Sequence, residues 1–296
     1  MDPLDSVRLR PLMARGEGRP EVVVGMIDGP VALSHPDLLG ARIREVSGAA
    51  HPSCLREDSL ACTHGTFVAG VLAAKRDSQA PAICPGCTLL IRPIFTESTN
   101  GSRQMPSAAP EELAAAIVDS VDAGARIINL SAALVHPSSR GERQLQTALD
   151  YTARRGVLVI AAAGNQGTIS SSAVTRHPWV IPVAGCDSQG IPTPESNLGN
   201  SIGRRGLAAP AQNITSLGAN GGFQTFGGTS AAAPFVTGAL ALLWSEFPAA
   251  FAGELKLAIM QSRRRARTTL VPPLLDAWEA YQTLEAQGPK SYEKQE

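Results

Sequence analysis

The chain has 296 residues, 44% hydrophobic and 18% charged, with 28 glycines and 22 prolines. That is one large domain or two small ones, with ample apolar surface for a core. Lysine plus arginine and aspartate plus glutamate balance at 26 each, so no global field draws the protein to nucleic acid or to an anionic membrane.

Residues 1–20 contain no apolar segment of the kind a secretory leader needs and read as a loose arm of Pro, Gly and Arg. No run of about 18 apolar residues follows, so no transmembrane helix is expected and the chain is placed in the cytoplasm. Residues 22–27 (Val-Val-Val-Gly-Met-Ile) form a continuous, mostly β-branched run, the pattern of a strand buried on both faces in a parallel sheet. It ends at Asp28-Gly29-Pro30. A carboxylate there sits at the carboxyl end of a buried strand, where α/β proteins hold their sites; a turn-forming aspartate is the plainer alternative. Residues 34–38 read as a loop, and so does the polar stretch 49–61, which Pro52 breaks.

Residues 63–74 predict a helix capped by Thr63, with Phe67, Val68, Val71 and Leu72 on one face and His64 at its start, off that face. His35, His51, His136 and His177 each precede a proline and read as loop residues. Residues 88–95 predict a second strand, 97–110 a polar loop, and 111–123 an amphipathic helix ended by Gly124. A third strand is expected over 126–131, a helix over 141–155 ended by Gly156, and a fourth strand over 157–163 stopping at Gly164-Asn165. A fifth strand falls at 179–184 and a short one starts at 206–209. Strands alternating with helices imply an α/β fold with a mainly parallel sheet and right-handed crossovers. The basic run Arg263-Arg264-Arg265-Ala266-Arg267 reads as a solvated helix end; residues 273–287 read as a closing helix and 288–296 as a frayed tail. No repeat or linker divides residues 21–287.

The five cysteines are Cys54, Cys62, Cys84, Cys87 and Cys186. An odd count in a cytoplasmic chain favours free thiols first, disulfides second and a zinc site third, because the Cys84-Pro85-Gly86-Cys87 turn has no second C-x-x-C to pair with.

The stretch around which the rest is organised is Gly227-Gly228-Thr229-Ser230-Ala231-Ala232-Ala233-Pro234, followed by an apolar helical run to Trp244. A serine at a helix start lies in the positive field of that end. Alone, it is an ordinary first-turn residue with Thr229 as cap. Asp28 and His64 change that reading: serine is a weak nucleophile until a base takes its proton, histidine can be that base near neutral pH, and a buried carboxylate fixes the imidazole.

Four motifs then resemble the subtilisin-like serine proteases: Met26-Ile27-Asp28-Gly29, His64-Gly65-Thr66-Phe67-Val68-Ala69-Gly70, Ala161-Ala162-Ala163-Gly164-Asn165-Gln166-Gly167, and Gly228-Thr229-Ser230-Ala231-Ala232-Ala233-Pro234. Ser196-Asn197-Leu198-Gly199 and Leu207-Ala208-Ala209-Pro210 are further echoes, so the likeness runs from about Val22 to Tyr281. It implies a three-layer α/β/α fold over residues 21–287 and a serine endopeptidase without cofactor. Ser230 is the implied nucleophile, His64 the general base and acid, Asp28 the orienting carboxylate, and Asn165 with the Ser230 N–H the oxyanion hole. The resemblance also implies a peptide substrate, laid as an added strand between the segment of Ser131, Ala132 and Ala133 and the loop of Gly101, with Ala162 and Gly164 nearby.

The chain departs from the pattern where the substrate strand has Ala133 for glycine, and Ala231 for the larger residue after the nucleophile. No inhibitory propeptide is recognisable, and the short loop 75–81 is too poor in carboxylates for the strong calcium site of secreted members. Residues 26–31 with His35-Pro36 resemble a narrower group, the proteases that mature ribosomally made peptides such as the cyanobactin enzymes. Hydrolysis of a precursor peptide is the expected reaction; macrocyclisation on the same triad and a non-catalytic peptide-binding relict are the alternatives. Because 49–61 reads as a loop, the His64 side of the cleft is expected to stay open to water.

Overall fold

The computed structural model describes residues 2–46, 54–95, 97, 108–131, 139–261 and 269–288. In chain order the helices are α1 (Pro3–Ser6), α2 (Leu9–Met13), α3 (Leu60–Ala73), α4 (Pro110–Asp122), α5 (Ser139–Arg154), α6 (Ala173–Arg176), α7 (Asn200–Arg205), α8 (Thr229–Glu246), α9 (Ala252–Met260) and α10 (Ala277–Gln287). The strands are β1 (Val23–Asp28), β2 (Ile43–Glu45), β3 (Thr88–Pro93), β4 (Ile127–Leu130), β5 (Leu158–Ala162), β6 (Ile181–Cys186), β7 (Leu207–Pro210), β8 (Ile214–Leu217) and β9 (Phe223–Phe226). The first seven make one parallel sheet in the order β2-β3-β1-β4-β5-β6-β7. β8 and β9 form a separate antiparallel hairpin.

Both faces of the sheet are covered, which explains why its strands are apolar throughout. Val24 and Met26 of β1, Ile127 of β4 and Ile160 of β5 pack into the core shared with α3 and α8. Ile27, Ile128, Leu130, Val159 and Ala161 point the other way, into the core under α4 and α5. This is the expected three-layer α/β/α fold with a mainly parallel sheet. The chain reverses between strand order 1-3 and 1-4 at β1, so the carboxyl end of β1 is the switch point where such sheets open a crevice.

The N-terminal arm is not loose. Asp2 caps α1 by accepting the Leu4 N–H at 2.8 Å, and Arg8 turns the chain in a left-handed conformation (φ 52°) between α1 and α2. Leu4, Val7, Leu9, Leu12 and Met13 are buried in the main core. Arg76 then donates to the carbonyls of Met13, Gly16 and Ile83, tying the arm to the body. Each helix is only about one turn long, too short for a 3.6-residue period to stand out in the sequence.

The cysteines also differ from the first expectation. Cys54 and Cys62 are joined in a disulfide with their Cα atoms 5.5 Å apart, whereas Cys84, Cys87 and Cys186 are buried free thiols. Glu97, beside the disulfide, accepts the Leu55 and Arg56 N–H groups and the Ser59 hydroxyl at 3.0, 2.9 and 3.1 Å. Among the described residues Cys54, Cys62 and Glu97 form the one cluster of potential metal ligands, and all three are engaged in these bonds. No helix among the described residues is long and apolar enough to cross a membrane. The basic run 263–267, His51, His136 and the tail beyond Gly288 lie outside the described residues.

Candidate active site

Alternation along β1 carries Asp28 to the same face as Val24 and Met26, under α3. Its carboxylate is fully buried. Oδ1 accepts the Gly29 N–H at 2.6 Å and the His64 Nδ1–H at 2.7 Å, while Oδ2 has no donor among the described residues.

His64 is in the second turn of α3 and buried, not at the helix start. Ser59 is the cap, accepting the Cys62 N–H at 3.1 Å, so the helix begins earlier than Thr63. The Thr63 hydroxyl instead bonds back to the Ser59 carbonyl at 2.9 Å. Two glycines let helix and strand meet. A Cβ at Gly65 would overlap the carbonyl oxygens of Pro30 and Gly29, and a Cβ at Gly29 would overlap the Ala61 carbonyl. Backbone therefore touches backbone beside the Asp28–His64 bond.

With Nδ1–H given to Asp28, the His64 Nε2 lone pair faces the Ser230 Oγ at 3.0 Å. Burial pulls the His64 pKa down, but the Asp28 charge and hydrogen bond outweigh it, so the imidazole stays above its ordinary value. Phe226 at the end of β9 lies 6.1 Å from the His64 ring and packs edge-on against Phe67.

Ser230 is the second residue of α8, an 18-residue helix buried on nearly every side. Gly228 precedes the helix with φ 87°, and a Cβ there would meet the Asn165 amide at about 3 Å, so only glycine fits on both counts. Thr229 locks the first turn to the loop after β5. Its N–H and hydroxyl donate to Asn165 Oδ1 at 2.8 and 3.0 Å, and its Oγ1 accepts the Gly164 N–H at 3.1 Å. This fixes the Asn165 carbonyl and leaves Nδ2 as its outward donor. Among the described residues neither Nδ2 nor the Ser230 N–H has an acceptor, two donors beside the nucleophile.

Sequence reasoning missed what holds Ser230 from below. Pro234 has no N–H to take the Ser230 carbonyl four residues back. The Ser131 hydroxyl takes it instead, at 3.3 Å. Ser131 in turn accepts from Asn129 Nδ2 at 2.7 Å, and Asn129 Oδ1 accepts from the Thr237 hydroxyl at 2.8 Å, all buried. Pro234 inside a helix was the available signal. Asn197 was also missed as a site residue: its Oδ1 accepts the Gln166 and Thr168 N–H groups, and its Nδ2 donates to the Ala163 carbonyl, shaping the loop that carries Asn165.

Ser131, Ala162 and Gly164 lie together at the carboxyl ends of the paired strands β4 and β5, beside Ser230. The Gly164 N–H is committed to Thr229. Gly101, Ala132 and Ala133 lie outside the described residues.

Comparison with known proteins agrees with this geometry. The chain is 29% identical to subtilisin DY of Bacillus licheniformis over 83% of its own length and 84% of that relative's. It spans about 61% of several other Bacillus subtilisins. It is similar in structure to the prenylagaramide maturation protease PagA, with 29% identity, a TM-score of 0.80, and coverage of 93% of this chain and 98% of that one. The PatG macrocyclase domain, at 21% identity and a TM-score of 0.81 over 94% of this chain and 96% of that one, shares the fold. The model described as the subtilase family matches residues 19–282. With Asp28, His64 and Ser230 joined as a catalytic triad requires, the chain belongs to the subtilase family of serine peptidases.

Proposed function

We propose that the protein is an endopeptidase that hydrolyses a ribosomally made precursor peptide. The observation that carries the chemistry is the unbroken run Asp28 Oδ1, His64, Ser230 Oγ at 2.7 and 3.0 Å. Ser230 Oγ attacks the scissile carbonyl as its proton passes to His64 Nε2. Asp28 holds the imidazolium that forms. The new oxyanion is received by the Ser230 N–H and Asn165 Nδ2, and the N-terminus of α8 adds its positive field. His64 then gives the proton to the leaving amine, and water cleaves the ester by the reverse steps. A hydrogen-bonded triad with two unsatisfied donors beside it gives a binding-only relict no support.

The precursor-peptide reading rests on the similarity to a maturation protease over nearly the whole of both chains.

Asn165→Ala is expected to lower kcat by about 10²–10³ with little change in KM, because its amide binds charge that appears only in the transition state. Steady-state kinetics separates this from a substrate-binding role, which would raise KM and spare kcat.

Hydrolysis and macrocyclisation share the acyl-enzyme and differ in whether water or the peptide's own amine attacks it. A cyclase must shield the ester, which calls for an added lid near His64. The segment before α3 enters as the Glu97-bound residues 55–59 with no helix among its described residues; 47–53 lie outside them. The expected products in ¹⁸O-water are linear and carry the heavy oxygen in the new carboxylate. Mass spectra dominated by cyclic product without it would replace this reading with transamidation.

A further inference from the structure

The proteolytic site leaves one motif unused, Cys84-Pro85-Gly86-Cys87. The Cys87 N–H donates to the Cys84 carbonyl at 3.0 Å, closing a tight four-residue turn. Such a turn keeps its end Cα atoms within about 7 Å, and a disulfide needs roughly 4.4–6.8 Å. The turn therefore brings the two cysteines into the range that a disulfide spans. They lie just under the half-buried turn tip of Pro85 and Gly86, at 2% and 3% exposure.

Their surroundings are unequal. Cys87 Sγ is 3.9 Å from the Ser245 hydroxyl, which accepts the Arg19 N–H at 3.0 Å. The Ser245 hydroxyl gives its own proton to the Ala241 carbonyl at 2.7 Å, so Cys87 is the thiol of the pair that has a polar acceptor at its side. The hydrogen bond from Cys84 pulls the Cys87 thiol below its usual range against the effect of burial, and the same bond, with burial, pushes Cys84 well above it. The N-terminal arm roofs the pair. Gly86 donates to the Glu17 carbonyl at 2.7 Å, and a Cβ at Gly18 would overlap Cys87 Sγ. Among the described residues no cluster of metal ligands includes either cysteine.

We propose that Cys84 and Cys87 are a dithiol redox site that a small hydroperoxide closes reversibly to a disulfide. Cys87 is the attacking sulfur. Its thiolate takes the terminal oxygen of hydrogen peroxide, the O–O bond breaks, and hydroxide leaves, giving the sulfenic acid. Cys84 then attacks the Cys87 sulfur, the S–O bond breaks, and the Cys84 proton leaves with the hydroxyl as water. The sum is two thiols plus one hydrogen peroxide giving one disulfide and two waters. The arm and the recessed turn favour an oxidant as small as hydrogen peroxide over a bulky disulfide.

The test uses the full, folded chain treated with hydrogen peroxide, then denatured, alkylated and digested with trypsin. The tryptic peptide of residues 77–103, uncut at the Arg92-Pro93 bond, contains both thiols and no other cysteine. It should lose two hydrogens, resist alkylation, and recover both thiols with dithiothreitol, while the buried Cys186 remains alkylatable. In Cys84→Ser the same dose should leave Cys87 as a sulfenic acid that dimedone traps; in Cys87→Ser, Cys84 should stay reduced. Full alkylation of that peptide after peroxide, oxidation of Cys186 at the same rate, or trapping of Cys84 in place of Cys87 would overturn the proposal.

Discussion

Ser230→Ala and His64→Ala are each expected to lower kcat by about 10⁶, and the double variant by no more than either. The reason is the geometry: Nε2 sits 3.0 Å from Oγ, so the base has no task without the nucleophile and the nucleophile no activation without the base. Neither change should unfold the protein. Ser230 is half-buried at a helix start, and His64 to alanine removes Asp28's partner in a pocket already roofed by Phe226. The check is single-turnover kinetics together with labelling by a fluorophosphonate probe, with thermal melting as the control for folding. Undiminished cleavage by the Ser230→Ala protein would remove the triad from the mechanism.

Asp28→Asn is expected to cost about 10⁴ in kcat, because the amide no longer enforces the tautomer that leaves Nε2 unprotonated. It also moves the pH profile in a definite direction. In the native protein the His64 pKa is raised, since Asp28 outweighs the burial that would lower it. The neutral base therefore accumulates as pH rises through a value above about 6.5, and kcat/KM should show its acid limb there. Removing the charge leaves burial unopposed, so the residual activity of the variant should have its limb at lower pH. The stability side follows the same sign. The His64 contribution is complete below about 6.5 and is lost as pH climbs through the raised folded value. A variant whose limb stays in place would show that another group titrates.

The triad was legible because three residue types, each in its own short motif, name one chemistry in one chain order. Asp28 was also placed by physics alone, at the end of an apolar run that had to be a central strand. What the sequence hid lies in longer-range pairing. Cys54 and Cys62 are joined while Cys84 and Cys87 are not, and spacing alone does not choose among such pairings. Helix α3 begins before the expected cap Thr63 because Ser59 is an equally able cap and Glu97 also holds it. The arm hid its burial in two single-turn helices, and the hairpin β8–β9 in two four-residue strands of which one is largely exposed. The buried chain from Thr237 through Asn129 and Ser131 to the Ser230 carbonyl joins two elements about a hundred residues apart, so no local window contains it.

The contact of Gly29 with Ala61 and of Gly65 with Pro30 sets the tolerance of the whole device. Peptide groups are the stiffest parts available, so the carboxylate and the imidazole are gauged against each other by a hard stop and not by the compliance of side chains. A single methyl group at either glycine would act as a shim, prising helix from strand. The protein would keep its core and its sheet, but the 2.7 Å bond would stretch beyond use. Activity is therefore one carbon atom away from being lost in a molecule that still folds, and the misfit would be seen in catalysis before it was seen in melting.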